Sequence, residues 1–157
     1  MYLNYETIKF EILENIAIIC LDRPESYNSL NAKMGKELLE IAYECDSNQE
    51  IRVIILTGSG DKAFCSGGDL KSFNEWQNVG KHLKMVTHDL HGAITKFSRL
   101  NSPLIVAVNG VAAGAGLSFV GFADIAIAKK SATFVSAYTK AGLTPDGSSS
   151  FYLPRII

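Results

Sequence analysis

The stretch that decides the fold is Leu104-Ile105-Val106-Ala107-Val108, followed directly by Asn109-Gly110-Val111-Ala112-Ala113-Gly114-Ala115-Gly116. The first five residues are a short apolar run rich in branched side chains, which is typical of a buried strand. The run rich in glycine and alanine after it predicts a turn that leads into a short helix. A strand that passes through a tight turn into a helix is a building unit of α/β folds.

The same order occurs earlier in the chain. Arg52 to Thr57 is a nearly continuous apolar run, and a second glycine turn follows it at Ala63-Phe64-Cys65-Ser66-Gly67-Gly68-Asp69-Leu70. A turn signal at Glu14-Asn15 predicts a hairpin, and Asn31 is a suitable N-cap for a helix. Strands are predicted at 7–13, 16–21, 52–57, 104–108 and 125–128. Helices are predicted at 31–46 and 81–100. A further short helix is predicted to end at about 122, and another to start at 145. This alternation predicts an α/β fold with a largely parallel sheet that is covered on both faces.

Length and composition limit the class of protein. The 157 residues are 47% hydrophobic and 20% charged, with a net charge of -1, so we expect one domain over 1–157. The chain has no broad basic field, so we expect no nucleic-acid partner. It has no apolar run long enough to span a bilayer, so we expect no membrane partner. The start does not resemble a secretory signal, and Cys20, Cys45 and Cys65 follow no disulfide spacing. We therefore expect a cytoplasmic protein with reduced thiols.

Both glycine turns follow predicted buried strands and lead into helices, which is where open α/β sheets bind ligands. Small residues allow a ligand close to the backbone, and helix N-termini present unpaired N–H groups. Two such turns side by side would hold one oxygen that gains negative charge. For either turn alone, a tight strand-to-helix connection is the favoured interpretation. A dinucleotide fingerprint is excluded because its third glycine position is Phe119.

Three segments resemble the crotonase (enoyl-CoA hydratase/isomerase) superfamily: Leu21-Asp22-Arg23-Pro24 through Asn28-Ser29-Leu30-Asn31, Leu56-Thr57-Gly58 through Leu70, and Pro103 through Gly116. Their order and spacing agree over essentially the whole chain. The resemblance implies a crotonase-like (ClpP/crotonase) spiral of ββα units and an acyl-CoA substrate, with coenzyme A as part of that substrate and no separate cofactor or metal. Relatives continue into C-terminal helices that close the pocket and help to build trimers. We expect those helices to be missing here, and a full-length protein to form a homotrimer or a dimer of trimers.

The resemblance also implies the site residues. The oxyanion-hole donors are the backbone N–H groups of Gly68 and Ala115, where the family usually has glycine at the second position. The substrate-binding residues that it implies are Ser26, Tyr27, Ser66, Gly67, Gly68, Asp69, Leu70, Gly114, Ala115, Tyr138 and Leu143. Glu25 stands where relatives often carry a lysine, so Lys62, Lys71 and Arg23 are candidate partners for the nucleotide phosphates or ordinary surface cations.

The number of carboxylates distinguishes between reactions of the superfamily. Hydratases use two glutamates, and the matching positions here are Ser118 and Tyr138, which cannot serve as acid and base in the same way. Gly142-Leu143-Thr144-Pro145-Asp146 is similar to a segment of 3,2-enoyl-CoA isomerases and of the phenylacetate-pathway ring isomerase. Asp146 is therefore predicted to be the single base of an isomerase, beside an apolar wall of Leu143, Pro145 and Phe151.

Other functions and roles remain open from the sequence. Asp146 is also a plausible N-cap for the helix after it. A hydratase-type lyase is an alternative function, and a non-catalytic module for acyl-CoA binding or subunit association is another. Cys65 has no histidine partner at a known spacing and is predicted to be a small structural side chain. His82, His88 and His91 are predicted to lie on a solvated helix face, and Asp69 and Asp124 to have structural roles.

Overall fold

The structure is a computed structural model that describes residues 2–73 and 76–157. The strands are β1 (Tyr2–Asn4), β2 (Ile8–Leu13), β3 (Ile16–Leu21), β4 (Val53–Gly58), β5 (Ala63–Cys65), β6 (Leu104–Val108), β7 (Val111–Ala113), β8 (Ile125–Ala128) and β9 (Phe134–Val135). The α-helices are α1 (Ala32–Ser47), α2 (Leu70–Phe73), α3 (Val79–Phe97), α4 (Ala115–Phe122) and α5 (Ser149–Ile156), with short 3-10 helices at Pro24–Ser26 and Tyr138–Ala141.

Two sheets organise the described residues. The larger sheet has the order β1-β2-β3-β4-β6-β8, in which β1 to β3 pair antiparallel and the remaining pairs are parallel. The smaller sheet, β5-β7-β9, is parallel throughout. The prediction of an α/β fold with a largely parallel sheet is confirmed. The sequence did not predict β1, β5, β7 or β9, because strands of two or three residues are too short to show a period.

The β2–β3 hairpin has the predicted turn. Glu14 and Asn15 have φ values of 45° and 70°. Positive φ at both central residues is what a two-residue turn of the I′ type requires, and it matches the twist of the flanking strands. Leu13 consequently pairs with Ile16.

The two long helices have the predicted apolar stripes, with shifted ends. Asn31 caps α1 by accepting a hydrogen bond from the Met34 amide at 2.9 Å, as predicted. Asn78 caps α3 in the same way, by accepting from the Lys81 amide at 3.0 Å, so α3 starts earlier than predicted. It also ends earlier, at Phe97. Within the described ranges, no helix is long and apolar enough to cross a membrane.

The central strands bury mainly one face. Ile54, Leu56, Leu104 and Val106 are essentially inaccessible, whereas alternate residues of β4 and β6 are half-buried. The prediction of strands covered on both faces is therefore wrong for this chain. The inward-facing strand residues join the buried stripes of α1 and α3 in one core, and the alternate strand residues lie outside it.

One buried amide joins three segments near the first glycine turn. The Asn28 Nδ2 atom donates to the carbonyl oxygens of Ser59 and Ala63, both at 2.9 Å. Its Oδ1 atom accepts from the Arg23 amide at 2.9 Å. Asn28 has a φ of 53°, a left-handed conformation that asparagine tolerates better than most residues. Asn28 thus fixes the connection between β4 and β5, and with it the start of the glycine turn.

We predict that Asn28→Ala lowers the free energy of unfolding by about 3 kcal/mol, because two carbonyl oxygens lose a donor and alanine is strained at this φ. Urea denaturation measures the change. The matched control is Asn101→Ala on the exposed surface, with an expected change within about 0.5 kcal/mol. Equal values for the two variants would contradict the role of Asn28.

Candidate active site

The two glycine turns lie directly against each other. A Cβ atom built on Gly67 would lie 3.0 Å from the Ala113 carbonyl oxygen and 3.6 Å from the Ala115 nitrogen. A Cβ on Gly116 would overlap the Cys65 carbonyl group. Backbone therefore packs on backbone at this point, and the absence of side chains at Gly67 and Gly116 is what allows the approach.

The backbone directions at Gly68 and Ala115 follow from their neighbours. Gly68 forms a parallel bridge with Leu30, in which the Leu30 amide donates to the Gly67 carbonyl at 2.7 Å and the Asp69 amide donates to the Leu30 carbonyl at 2.9 Å. In such a bridge the N–H of the middle residue points away from the partner. Ala115 is the first residue of α4, where amides have no acceptor within the helix. Both amides thus belong to main chain that leaves the N–H available.

A cleft opens at these turns, with a volume of about 110 Å³. Its lining includes nine predicted site residues: Ser66, Gly67, Gly68, Leu70, Gly114, Ala115, Tyr138, Leu143 and Asp146. It also includes six that the sequence did not assign: Leu30, Val86, Thr87, Leu90, Ala137 and Ala141. Val86 and Leu90 were part of the apolar stripe of α3, and a stripe alone does not distinguish core positions from cleft positions.

Three predicted substrate-binding residues do not line this cleft: Ser26, Tyr27 and Asp69. Tyr27 is half-exposed and borders the cleft's edge only through its carbonyl oxygen, which accepts from the Ser66 amide at 3.1 Å. Asp69 forms an ion pair with Arg23 at 2.9 Å, and both side chains are largely buried. This ion pair explains the structural role that was predicted for Asp69. Arg23 is thus engaged within the chain and is a poor candidate for a phosphate partner.

Asp146 lies in the cleft lining, and its carboxylate is bound to a histidine. Its Oδ1 atom lies 2.7 Å from Nε2 of His91, and the two side chains are 32% and 50% exposed. The alternative role of Asp146 as an N-cap is wrong: the N-cap of α5 is Ser148, and Asp146 accepts from the Ser149 amide only through its carbonyl oxygen. Asp146 thus lines the cleft with a carboxylate that is not used for capping. Pro145 and Phe151 do not line it, so Leu143 alone supplies the predicted apolar wall.

Ser118 and Tyr138, the two hydroxyl residues that the resemblance matches to the hydratase glutamates, are hydrogen-bonded to each other next to the Asp146 main chain. The Ser118 Oγ atom lies 3.0 Å from the Tyr138 hydroxyl oxygen and 2.8 Å from the Asp146 carbonyl oxygen. Burial raises the pKa of Tyr138 to about 12, against a lowering by the hydrogen bond to Ser118, and the Asp146 charge adds to the increase. Tyr138 therefore stays protonated at neutral pH.

The structure also distinguishes the roles of the other candidate residues, which are Cys65, Asp124 and the histidines of α3. Burial raises the pKa of the Cys65 thiol to about 12, so this residue is not a thiolate at neutral pH. Asp124 accepts from the Leu104 amide at 2.7 Å, which gives it the predicted structural role. The prediction of a solvated face is wrong for His82, which is buried under the Trp76 ring with centroids 4.4 Å apart. For His91 the prediction of a solvated face is incomplete. Its side chain is half-exposed but contacts Asp146, 55 positions further along the chain, and no local sequence pattern reveals such a contact.

Paired sheets and a cleft framed by two glycine turns define the crotonase type of α/β protein. A sequence model described as Enoyl-CoA hydratase/isomerase matches residues 11–157, and the chain belongs to this family.

Curated relatives carry different names. A probable enoyl-CoA hydratase from Rhodobacter capsulatus is 42% identical over 98% of this chain, and a 1,2-epoxyphenylacetyl-CoA isomerase from Escherichia coli is 37% identical over 96%. The 4-chlorobenzoyl coenzyme A dehalogenase-2 from an Arthrobacter species is 34% identical over 96%. The chain spans 58%, 58% and 55% of these three proteins, respectively.

Solved structures have the same fold. An enoyl-CoA hydratase/isomerase from Mycobacterium paratuberculosis superposes with a TM-score of 0.90 at 26% identity, over 99% of this chain and 62% of that one. An enoyl-CoA hydratase from Bacillus anthracis gives 0.89 at 29% identity, over 97% and 58%. The predicted crotonase-like fold is confirmed, and the chain spans about three fifths of the length of these two proteins.

We predict that Gly116→Ala lowers the free energy of unfolding by about 2 kcal/mol or more, since the added methyl group forces the two turns apart. Urea denaturation is again the measurement. Gly35→Ala is the matched control: a Cβ there has its nearest contact at 3.6 Å, and alanine is favoured inside a helix. A Gly116 variant as stable as the Gly35 variant would mean that the turns are not packed as described.

Proposed function

We propose that the whole protein is an acyl-CoA isomerase that shifts a double bond next to a CoA thioester. Asp146 removes a proton from the carbon next to the thioester carbonyl, and the electron pair moves onto the carbonyl oxygen. The resulting dienolate oxygen accepts hydrogen bonds from the Gly68 and Ala115 amides. Asp146 then returns the proton two carbons further along, so no water or redox partner is consumed.

The observation that carries the proposal is the carboxylate content of the cleft. Among the described residues that line it, Asp146 is the only carboxylate. Relatives that add water use two glutamates. At the matching positions this chain has Ser118 and Tyr138, whose hydroxyls are hydrogen-bonded to each other. A double-bond shift needs one base that takes and returns the same proton.

The His91 contact favours the same assignment of Asp146. A hydrogen bond from Nε2 to one carboxylate oxygen fixes the orientation of the group and leaves the other oxygen for substrate. The cleft volume of about 110 Å³ is below the range of roughly 300–1,000 Å³ for small-molecule sites. We infer that these residues enclose the thioester and the first acyl carbons rather than a whole acyl-CoA.

The other properties of the whole protein are part of this proposal. Coenzyme A enters as part of the substrate, and the enzyme needs no separate cofactor. The protein acts as a homotrimer or a dimer of trimers in the cytoplasm. The three cysteines are free thiols, which suits a reducing compartment.

Asp146→Asn in the whole protein is the direct test. We expect kcat for conversion of 3-hexenoyl-CoA to 2-hexenoyl-CoA to fall about 100- to 10,000-fold, with binding of hexanoyl-CoA nearly unchanged, since asparagine keeps the shape but is not a base. Proton NMR in D₂O follows both the product and deuterium uptake next to the thioester.

The matched control is Asp89→Asn on α3, outside the cleft lining, which should leave turnover unchanged. Full activity of the Asp146 variant would reject the assignment. Vigorous water addition to 2-hexenoyl-CoA would favour the hydratase alternative, and binding without any turnover would favour a non-catalytic module.

The His91–Asp146 pair favours a second candidate function, hydrolytic removal of halide from an aromatic acyl-CoA. Asp146 would attack the ring carbon that bears chlorine, with the added electron pair held at the thioester oxygen, and chloride would leave. Water deprotonated by His91 would then hydrolyse the aryl ester at the Asp146 carbonyl carbon, giving the phenol and free carboxylate. Two relatives with 34% and 33% identity are named 4-chlorobenzoyl coenzyme A dehalogenases.

We predict that 4-chlorobenzoyl-CoA releases no chloride if the isomerase assignment is correct. Under the second candidate, chloride appears, and a single turnover in ¹⁸O-labelled water places the label in the Asp146 carboxylate by mass spectrometry. His91→Gln, which keeps a donor but removes the base, would then block ester hydrolysis. The same variant would leave most isomerase activity under the first proposal.

A further inference from the structure

We propose that Ser118 and Tyr138 are positioning residues, which hold the main chain of Asp146 so that its carboxylate faces the cleft. This inference deepens the proposed function and rests on Asp146 as its reactive group. Ser118 is fully buried behind the cleft, and Tyr138 forms part of its wall.

The number of available protons sets the direction of each hydrogen bond. Ser118 Oγ lies 2.8 Å from the Asp146 carbonyl oxygen and 3.3 Å from the Gly114 carbonyl oxygen, and both of these atoms only accept. Serine has one hydroxyl proton, so it donates to the closer carbonyl of Asp146. The Tyr138 hydroxyl at 3.0 Å must then be the donor to Ser118.

This direction makes a chain from Tyr138 through Ser118 to the Asp146 carbonyl. Because the pKa of Tyr138 is raised to about 12, chiefly by burial, the first donor keeps its proton at neutral pH. The proton points to Ser118, so Tyr138 is not available as a second acid in the cleft. The two hydroxyls thus serve the placement of the single carboxylate.

Packing holds the same segment from the other side. Gly147 follows Asp146 with a φ of 59°, and a Cβ there would lie only 2.9 Å from the Ser118 Cβ atom. The lack of a side chain lets the main chain of 146–147 lie directly on Ser118. Asp146 is therefore fixed at two points, through its carbonyl oxygen by Ser118 and through its carboxylate by His91.

The test uses Ser118→Ala, Tyr138→Phe and Asp146→Asn in the whole protein. We expect Ser118→Ala to lower kcat about 10- to 100-fold, with KM nearly unchanged, because a small displacement of a reacting group is costly. Tyr138→Phe should give a smaller loss of the same kind. A larger change in KM than in kcat for both variants would contradict a positioning role.

A second readout needs no substrate. The imidazole NMR signals of His91, assigned with His91→Gln, report the contact with Asp146. Ser118→Ala should shift them in the same direction as Asp146→Asn. If Asp146→Asn shifts the signals and Ser118→Ala does not, the proposal is overturned, even if the isomerase assay succeeds. If the assay fails but the shifts agree, only the proposed function is lost.

Ser149→Ala is the matched control. It also removes a buried serine hydroxyl three residues after Asp146, but that oxygen has no hydrogen-bond partner among the described residues. We expect kcat and the His91 signals to stay as in the unmodified protein. If Ser118→Ala does not fold, Tyr138→Phe still decides the question, because it removes only the first donor of the chain.

Discussion

The site depends on one contact, the packing of the Gly116 main chain against the Cys65 carbonyl group. That contact brings the end of β5 beside the start of α4, so that amides from two distant parts of the sequence lie at one cleft. Oxyanion stabilisation is effective when the donors are fixed before charge develops, since no reorganisation is then needed. Main-chain donors on packed backbone satisfy this condition better than flexible side chains.

The elements around this contact explain its rigidity. Leu30 bridges to Gly68 on one side, and β7 pairs with both β5 and β9 on the other. Asn28 holds the β4–β5 connection by donating to two carbonyl groups. The small sheet is thus a frame for the two turns, and its strands β5 and β7 are themselves largely buried. The larger sheet and the two long helices supply most of the buried apolar surface.

Sequence patterns predicted the hairpin at Glu14-Asn15, the cap at Asn31 and the strand–turn–helix units, because each has a local physical cause. They missed the small sheet, whose two- and three-residue strands show no period. In the site, the glycine turns and Asp146 were found by motif. The pairing of Asp146 with His91 was not, since the residues are 55 positions apart and meet only through the packing of α3. The burial of His82 under Trp76 was also missed, because helical spacing alone does not show which face of α3 a ring from the preceding segment covers.

The relatives of this chain are named for different reactions. A site that combines main-chain donors with variable side chains is consistent with this range of names. Proteins 34% to 42% identical to this chain are named hydratase, isomerase and dehalogenase, and all three names contain coenzyme A. A backbone N–H is present whatever the side chain, as Ala115 in place of the usual glycine illustrates. A thioester oxygen held by two main-chain amides, as we propose for this chain, would be bound whatever the side chains are, while the reaction would depend on the side chains around it. In this chain Tyr138 and Asp146 line the cleft, Ser118 forms hydrogen bonds with both of them, and His91 contacts the Asp146 carboxylate. In the isomerase reaction that we propose, a single group both takes and returns a proton, so its placement matters more than the number of acids nearby, and we infer that the two hydroxyls provide that placement.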